Sequence, residues 1–443
     1  MWQWFLSINV FAKSTLIPVY ALGGLLILLL ILRLPILDRA KPQNASRTPG
    51  IGRWLIWAVA AVILGGLIGL LVLWLVLVVY DTFGGPVTPE TWGWGIALFA
   101  ATGLVIANLF RTRIWRKVVA LLTVPFFLVA TALGINASFG LNPTVGAMLD
   151  ISLEPQISLT KPNDAPDPKQ PLWKTWKAPA NMPAVGKTGV VYIEPKVSGF
   201  KARPAGVYLP PAALTENPPK LPFYLLMMGQ PGRPDPHYVE GIFNDFAKQH
   251  HGLAPIVLVA DQVGPAQADT LCVNSAKFGR VEDYIAKDVV SWARQNLNIL
   301  AERKYWTVAG YSNGGQCAIS FAAKYPATWG NVVDISGEEF PGAEQPAANL
   351  ANIFNGDQAA YDAEKPINIM AKQHYPDTHA VFTVGSDDSL YVAQAKRVSQ
   401  AAKAAGMVVD YHEVPNGGHL IAALAGGLKR GLQVLNQRWG LSP

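Results

Sequence analysis

Two cysteines and seven histidines are all that 443 residues supply of the usual cross-linking and metal-binding side chains. So few cysteines exclude a disulfide-dense scaffold. His250, His251, His374, His379 and His412 show no metal-ligand spacing and read as surface positions, so no metal site is expected. Charge is also scarce: 15% of residues are charged and 51% are hydrophobic, the opposite of the balance that intrinsic disorder requires. No glycine period suggests collagen, and no internal repeat is present. A chain of this length should hold two units.

Acidic residues are nearly absent from the first part of the chain. Residues 1–140 hold only Asp38, Asp81 and Glu90 against ten basic residues, a net of +7, which leaves −1 for 141–443 out of a total of +6. A pI near 9.1 would ordinarily suggest nucleic acid. Here the whole excess lies in an otherwise apolar segment, so no nucleic-acid partner is expected.

That segment contains four long apolar runs, Thr15–Leu32, Trp54–Tyr80, Trp92–Phe110 and Val118–Gly140. Each approaches or exceeds the roughly 18–20 residues that cross a bilayer as a helix. Trp54, Trp57, Tyr80, Trp92, Trp94 and Trp115 cluster near run ends, where amphipathic rings prefer the headgroup level. The lipid bilayer is therefore an expected partner, with 1–140 as a four-helix transmembrane domain. The loops Leu32–Arg53 and Arg111–Lys117 are basic, whereas Asp81–Thr91 holds two acids and no base. Positive loops stay cytoplasmic. This orientation makes the protein a multi-pass protein of the cell membrane with everything after Gly140 outside. The first apolar run lacks the basic flank and cleavage site of a signal peptide. Small residues in Gly65-Gly66-Leu67-Ile68-Gly69 suit helix packing.

Residues 141–189 read as a linker, since Asp150–Gly189 carries seven prolines and should form an extended spacer. From residue 190 to 443, short apolar runs alternate with amphipathic stretches. Strands are expected at Val190–Ile193, Ala205–Leu209, Phe223–Met228, Ile256–Ala260, Tyr305–Ala309, Val332–Ile335, Ala380–Val384 and Val408–Val414. Helices are expected at Val239–Gln249, Val281–Asn296, Gly314–Lys324, Leu390–Ala405 and Ile421–Gln437. This alternation predicts an α/β domain, a mainly parallel sheet covered on both faces by helices.

One constellation carries chemistry. The strand ending at Ala309 runs into Gly310-Tyr311-Ser312-Asn313-Gly314 and then a helix, a G-x-S-x-G motif in strand–turn–helix context. A serine hydroxyl needs a base to become a nucleophile, and His419, behind Asn416-Gly417-Gly418 near the C-terminus, is free to point back at Ser312. The acid should lie between them in Gly385-Ser386-Asp387-Asp388; Asp388 fits best and Asp387 is the alternative. An oxyanion hole needs two N–H donors. Asn313, directly after the nucleophile, offers one, and Gln230 in Gly229-Gln230-Pro231-Gly232 the other, because Pro231 has no N–H. Cys272 and Cys317 can form a disulfide or stand as two buried thiols. His237 reads as a solvated loop residue or part of an acyl pocket, Asp261 as a cap or turn residue with substrate contact as the alternative, and Ser336 as a strand-end turn.

Leu225–Gly232, the Gly310–Gly315 elbow followed by Gln316-Cys317-Ala318, and Gly417-Gly418-His419 resemble the putative-esterase family of α/β-hydrolases. That family includes esterase D-type enzymes and the antigen 85 mycolyltransferases. The resemblance covers about Val190–Leu435 and leaves out the four apolar runs. It implies a Ser-acid-His triad in the order Ser312, Asp388, His419, an acyl-enzyme intermediate, no metal and no organic cofactor. The antigen 85 branch transfers mycolic acids between trehalose lipids. The expectation is therefore a membrane-anchored extracytoplasmic serine ester hydrolase acting on a lipid, glycolipid or other cell-envelope ester. The alternatives are a mycolyl-type acyltransferase and a non-catalytic membrane scaffold with a hydrolase-like domain; the oligomeric state stays open.

Overall fold

The computed structural model describes residues 1–32, 51–80, 87–110, 112–140, 142–163, 166–265 and 268–443, which form two compact units, Met1–Leu153 and Glu154–Pro443.

Among the described residues of the first unit, four helices are long and apolar enough to cross a membrane: α1 (Lys13–Ile31), α2 (Ile51–Trp74, continuing to Val79), α3 (Pro89–Leu109) and α4 (Ile114–Phe139). α2 and α3 approach closely because both present glycine at the contact. A Cβ on Gly65 would lie 2.5 Å from the Phe99 carbonyl oxygen, and one on Gly103 would lie 2.3 Å from that of Ala61. The Gly65–Gly69 run thus serves packing within the chain. The last carbonyls of α1, which a helix leaves unpaired, take donors from the other three helices. Trp54 Nε1 donates to Ile31 (2.8 Å), Asn108 Nδ2 to Leu30 (3.3 Å) and Arg116 Nη2 to Leu32 (2.7 Å). The guanidinium also suits the negative end of the helix dipole. Most loop residues behind the expected orientation, Arg33, Arg39, Lys41, Arg47, Asp81 and Arg111 among them, lie outside the described residues.

The second unit is built on an eight-stranded sheet: β1 (Lys187–Val191), β2 (Ala205–Leu209), β3 (Phe223–Met227), β4 (Ile256–Ala260), β7 (Trp306–Tyr311), β8 (Asn331–Ile335), β9 (His379–Gly385) and β10 (Val408–Val414). A two-stranded ribbon, β5 (Asn274–Ser275) with β6 (Gly279–Arg280), stands apart. The sheet order is β1-β2-β4-β3-β7-β8-β9-β10, antiparallel at β1/β2 and β2/β4 and parallel from β4 to β10. β3, β4, β7 and β8 are buried along their whole length, as a sheet covered on both faces requires. The covering helices are α5 (His237–Gln249), a helical stretch over 281–296, α6 (Asn313–Lys324), α7 (Ser389–Ala404) and α8 (Ile421–Leu435). All eight expected strands and all five expected helices are present, with ends shifted by a few residues. Three short helices between β8 and β9 (Pro346–Asn352, Gln358–Ala363 and Pro366–Met370) follow no pattern that periodicity reveals in so few turns.

The expected linker divides between the units. From Glu154 onward it belongs to the second, whose core buries Ile157 and Leu172, and Trp176 Nε1 donates to the His251 carbonyl at 2.9 Å. Proline removes N–H donors but not apolar surface, so the segment lies along the domain as an extended strap, paired at Gln156↔Val190.

Candidate active site

β3 and β7 are neighbours, yet β3 is followed by a crossover to β4 on one side and β7 by a crossover to β8 on the other. Such a switch point opens a crevice at the carboxyl ends of the strands. Ser312 lies there, directly after β7, with φ 57° and ψ −123°. This left-handed backbone is costly for a residue with a Cβ and is held by neighbours. The Ser312 N–H donates to the Ile335 carbonyl at 2.9 Å, and the Ser312 carbonyl accepts from Gly315 (2.8 Å) and Gln316 (3.1 Å). The motif's glycines are required by contact: a Cβ on Gly310 would meet the Gly314 oxygen at 1.9 Å, and one on Gly314 would meet the Met227 oxygen at 2.1 Å. The turn thus presses the start of α6 onto the end of β3 and leaves the serine outside.

His419 arrives from the loop after β10, which the turn after β9 holds in place. Asp387 N–H donates to the Gly417 carbonyl (2.7 Å), Ser386 N–H to Val414 (2.9 Å), and Asn416 N–H to Ser386 Oγ (3.0 Å). His419 Nε2 lies 2.8 Å from Ser312 Oγ, and its Nδ1 lies 2.8 Å from Asp388 Oδ2. The two adjacent aspartates are thereby distinguished. Asp388, 7% exposed at its side chain, reaches the imidazole, whereas Asp387 accepts the Ser386 hydroxyl at 2.9 Å. The imidazole packs against two rings, Tyr391 (centroids 4.0 Å) and Tyr311 (5.3 Å).

The loop after β3 passes against Ser312, since a Cβ on Gly229 would lie 3.1 Å from Ser312 Cβ. The backbone N–H groups of Gln230 and Asn313 donate to no other described residue. Cys272 and Cys317 are bonded, with Cα atoms 5.6 Å apart, and join α6 to the loop after β4. His237 is solvent-exposed, with 52% of its side chain accessible, and stands at a helix start instead of in a loop. It begins α5 and faces Asp235 (3.1 Å) and Glu154 (3.4 Å). The Asp235 hydrogen bond raises its pKa to about 9, against the opposing effect of burial. Asp261 binds Arg203 at 2.8 Å as well as turn N–H groups, and Ser336 turns off β8 with φ 50°.

Several residues around the crevice carry no sequence signal, because they come from separate loops at irregular spacing. Gln262 and Asp269 follow β4; Glu338 and Glu344 follow β8. Burial raises the Asp269 carboxyl, and burial together with the Asp269 and Glu344 charges raises Glu338 well above the carboxylate range. Tyr391, packed on His419, donates its hydroxyl to Glu344.

The family model described as "Putative esterase" matches residues 202–432. An uncharacterized protein of Corynebacterium glutamicum is 29% identical over 345 residues, covering 75% of this chain and 79% of its own. Among solved structures, a ferulic acid esterase aligns at 16% identity and a TM-score of 0.49, over 58% of this chain and all of its own. An S-formylglutathione hydrolase from Agrobacterium tumefaciens aligns at 16% identity and 0.48, over 58% of this chain and 98% of its own. Mycobacterium tuberculosis MPT51 (FbpC1) aligns at 15% and 0.41, over 54% of this chain and 94% of its own.

Proposed function

The chain belongs to the Putative esterase family, and from that premise we propose that it is a membrane-anchored, extracytoplasmic serine esterase that acts on a lipid or cell-envelope ester through an acyl-enzyme. The observation that carries this reading is the continuous relay Ser312–His419–Asp388, with 2.8 Å at each link. Such a relay supplies both needs of ester cleavage, a base for the nucleophile and a carboxylate for the cation that forms on the base.

In this reading His419 Nε2 takes the Ser312 proton as Oγ attacks the ester carbonyl carbon. The developing oxyanion is received by the N–H groups of Gln230 and Asn313, each worth about 3 kcal/mol to the barrier. The tetrahedral species collapses as His419 returns the proton to the departing alkoxide, leaving the acyl group on Ser312. Water, or a sugar or lipid hydroxyl, gives its proton to His419 and attacks the acyl carbon, and Ser312 leaves with that proton. Asp388 keeps Nδ1 of the imidazole as the donor end throughout. No step calls on a metal or organic cofactor.

Two features support a lipid-borne substrate outside the cytoplasm: the four apolar helices and the sign of the loops between them.

A membrane-impermeant fluorophosphonate applied to intact cells tests the reading, with wild type compared with Ser312→Ala. Labelling that depends on Ser312 is expected. No such labelling even after lysis defeats the esterase reading, and labelling only after lysis overturns the orientation. An ester lipid that accumulates in cells carrying Ser312→Ala identifies the substrate; an unchanged lipid profile overturns the envelope-lipid assignment.

A further inference from the structure

We propose that Gln262 is the positioning residue of this site, holding the two oxyanion donors to a common target; the proposal rests on the esterase reading above. The donors belong to chain segments 83 positions apart in sequence (Gln230 and Asn313), so only tertiary contacts can set their relative aim. Gln262 stands between the segments, 2% exposed. Its side-chain NH₂ donates twice: to the Met228 carbonyl, at the root of the loop that carries Gln230, and to Asn313 Oδ1 at 3.2 Å.

The polarity of this link is set by chemistry. Asn313 Nδ2 donates to Asp269 Oδ1 at 3.0 Å, and a carboxylate there can only accept, so Asn313 must turn its oxygen toward Gln262. A backbone carbonyl also only accepts, so Gln262 must present nitrogen to Met228. Both N–H groups of the amide are used, one on each segment.

Gln262 is itself held. Its backbone carbonyl accepts from Thr270 Oγ1 at 2.6 Å, and its neighbour Asp261 is ion-paired to Arg203 at 2.8 Å. The same Arg203 donates to the Gly232 carbonyl at 2.7 Å, which fixes the far end of the donor loop. The Cys272–Cys317 bond ties the loop carrying Gln262 and Asp269 to α6, four residues past Asn313. Gln262 touches neither the nucleophile nor the imidazole in any described contact, so its effect reaches the reaction through the donors. Misplacing a donor costs part of what losing it costs, and the effect falls on the transition state, where the oxyanion exists.

The test uses the full-length protein in detergent, 4-nitrophenyl butyrate as substrate and an alkyl trifluoromethyl ketone as analogue of the tetrahedral species. Gln262→Met keeps the volume and removes both donors; Gln262→Glu also sets a carboxylate against the Met228 carbonyl. For Gln262→Met a fall in kcat of about 10- to 100-fold is expected, with KM within threefold and the ketone Ki raised by the factor lost from kcat/KM. Gln262→Glu should fall further. Thermal melts identify any variant that fails to fold, and the other variant then carries the test. A kcat within twofold of wild type, or a fall in kcat with an unchanged ketone Ki, overturns the positioning role. Ser312→Ala is run beside them: wild-type turnover that does not depend on Ser312 defeats the esterase reading itself, whatever Gln262 does.

Discussion

Replacing Asp388 by Asn tests the choice between the two adjacent aspartates, of which sequence spacing favours Asp388. In the proposed acyl transfer the imidazole becomes a cation; its Nδ1 lies 2.8 Å from Asp388 Oδ2, and the carboxylate side chain is only 7% exposed. Two unit charges at that distance attract by about 6 kcal/mol at an effective dielectric of about 20. In the proposed mechanism the ring takes up its proton only as Oγ attacks, so this attraction is gained chiefly as the transition state forms. Removing the charge while keeping the shape should therefore slow kcat by about 10⁴-fold and leave KM nearly unchanged. An asparagine can also present its NH₂ to Nδ1 and stabilise the wrong tautomer, which acts in the same direction. Asp387→Asn, one position away, should stay within threefold of wild type, because Asp387 is occupied by the Ser386 hydroxyl and does not meet the ring. The assay is steady-state hydrolysis of 4-nitrophenyl butyrate by the detergent-solubilised protein, with burst titration to count active sites. More than a tenth of wild-type kcat in Asp388→Asn, or the large loss appearing in Asp387→Asn, would refute the reasoning.

Two further perturbations address stability. Asp334 is buried beneath the turn after β8, and burial, only partly offset by the Gly337 N–H, raises its pKa to about 7. Its folded-state pKa lies above the unfolded one, so the native state binds the extra proton and stability declines as pH rises from about 4 to about 7. Asp334→Asn should remove that decline, gaining about 4 kcal/mol above pH 7 and nothing near pH 3.5; thermal melts across this range check it, and a pH-independent difference from wild type would count against it. The double variant Cys272→Ala/Cys317→Ala opens a cross-link between residues 45 apart. Loop-closure entropy for that span is about 4 kcal/mol. For a unit of this size that lowers Tm by about 7 °C, measured by differential scanning fluorimetry in detergent, and a drop under 2 °C would contradict it.

The sequence by itself determined whatever depends on local pattern or on composition over long windows. Four apolar runs require helices because hydrocarbon offers no partner to an open backbone. The alternation of apolar runs with amphipathic stretches sets a mainly parallel sheet, because crossovers of that length cannot make hairpins. The elbow around Ser312 is legible because Gly310 and Gly314 must lack a Cβ where chain presses on chain, and that steric demand is local. His419 is legible from the glycines before it. Spacing favours Asp388 over Asp387, and tertiary structure separates them fully: the two have equal chemistry, and one step of backbone turns them to different partners. Tertiary structure alone decided that the proline-rich segment packs on the catalytic unit, since burying Ile157 and Leu172 needs a surface assembled from distant strands. It also joined Cys272 to Cys317 and set Gln262 between Met228 and Asn313. Contacts between residues far apart in the chain leave no period and no spacing in a single sequence, because sheet order and loop path, not chain order, bring them together.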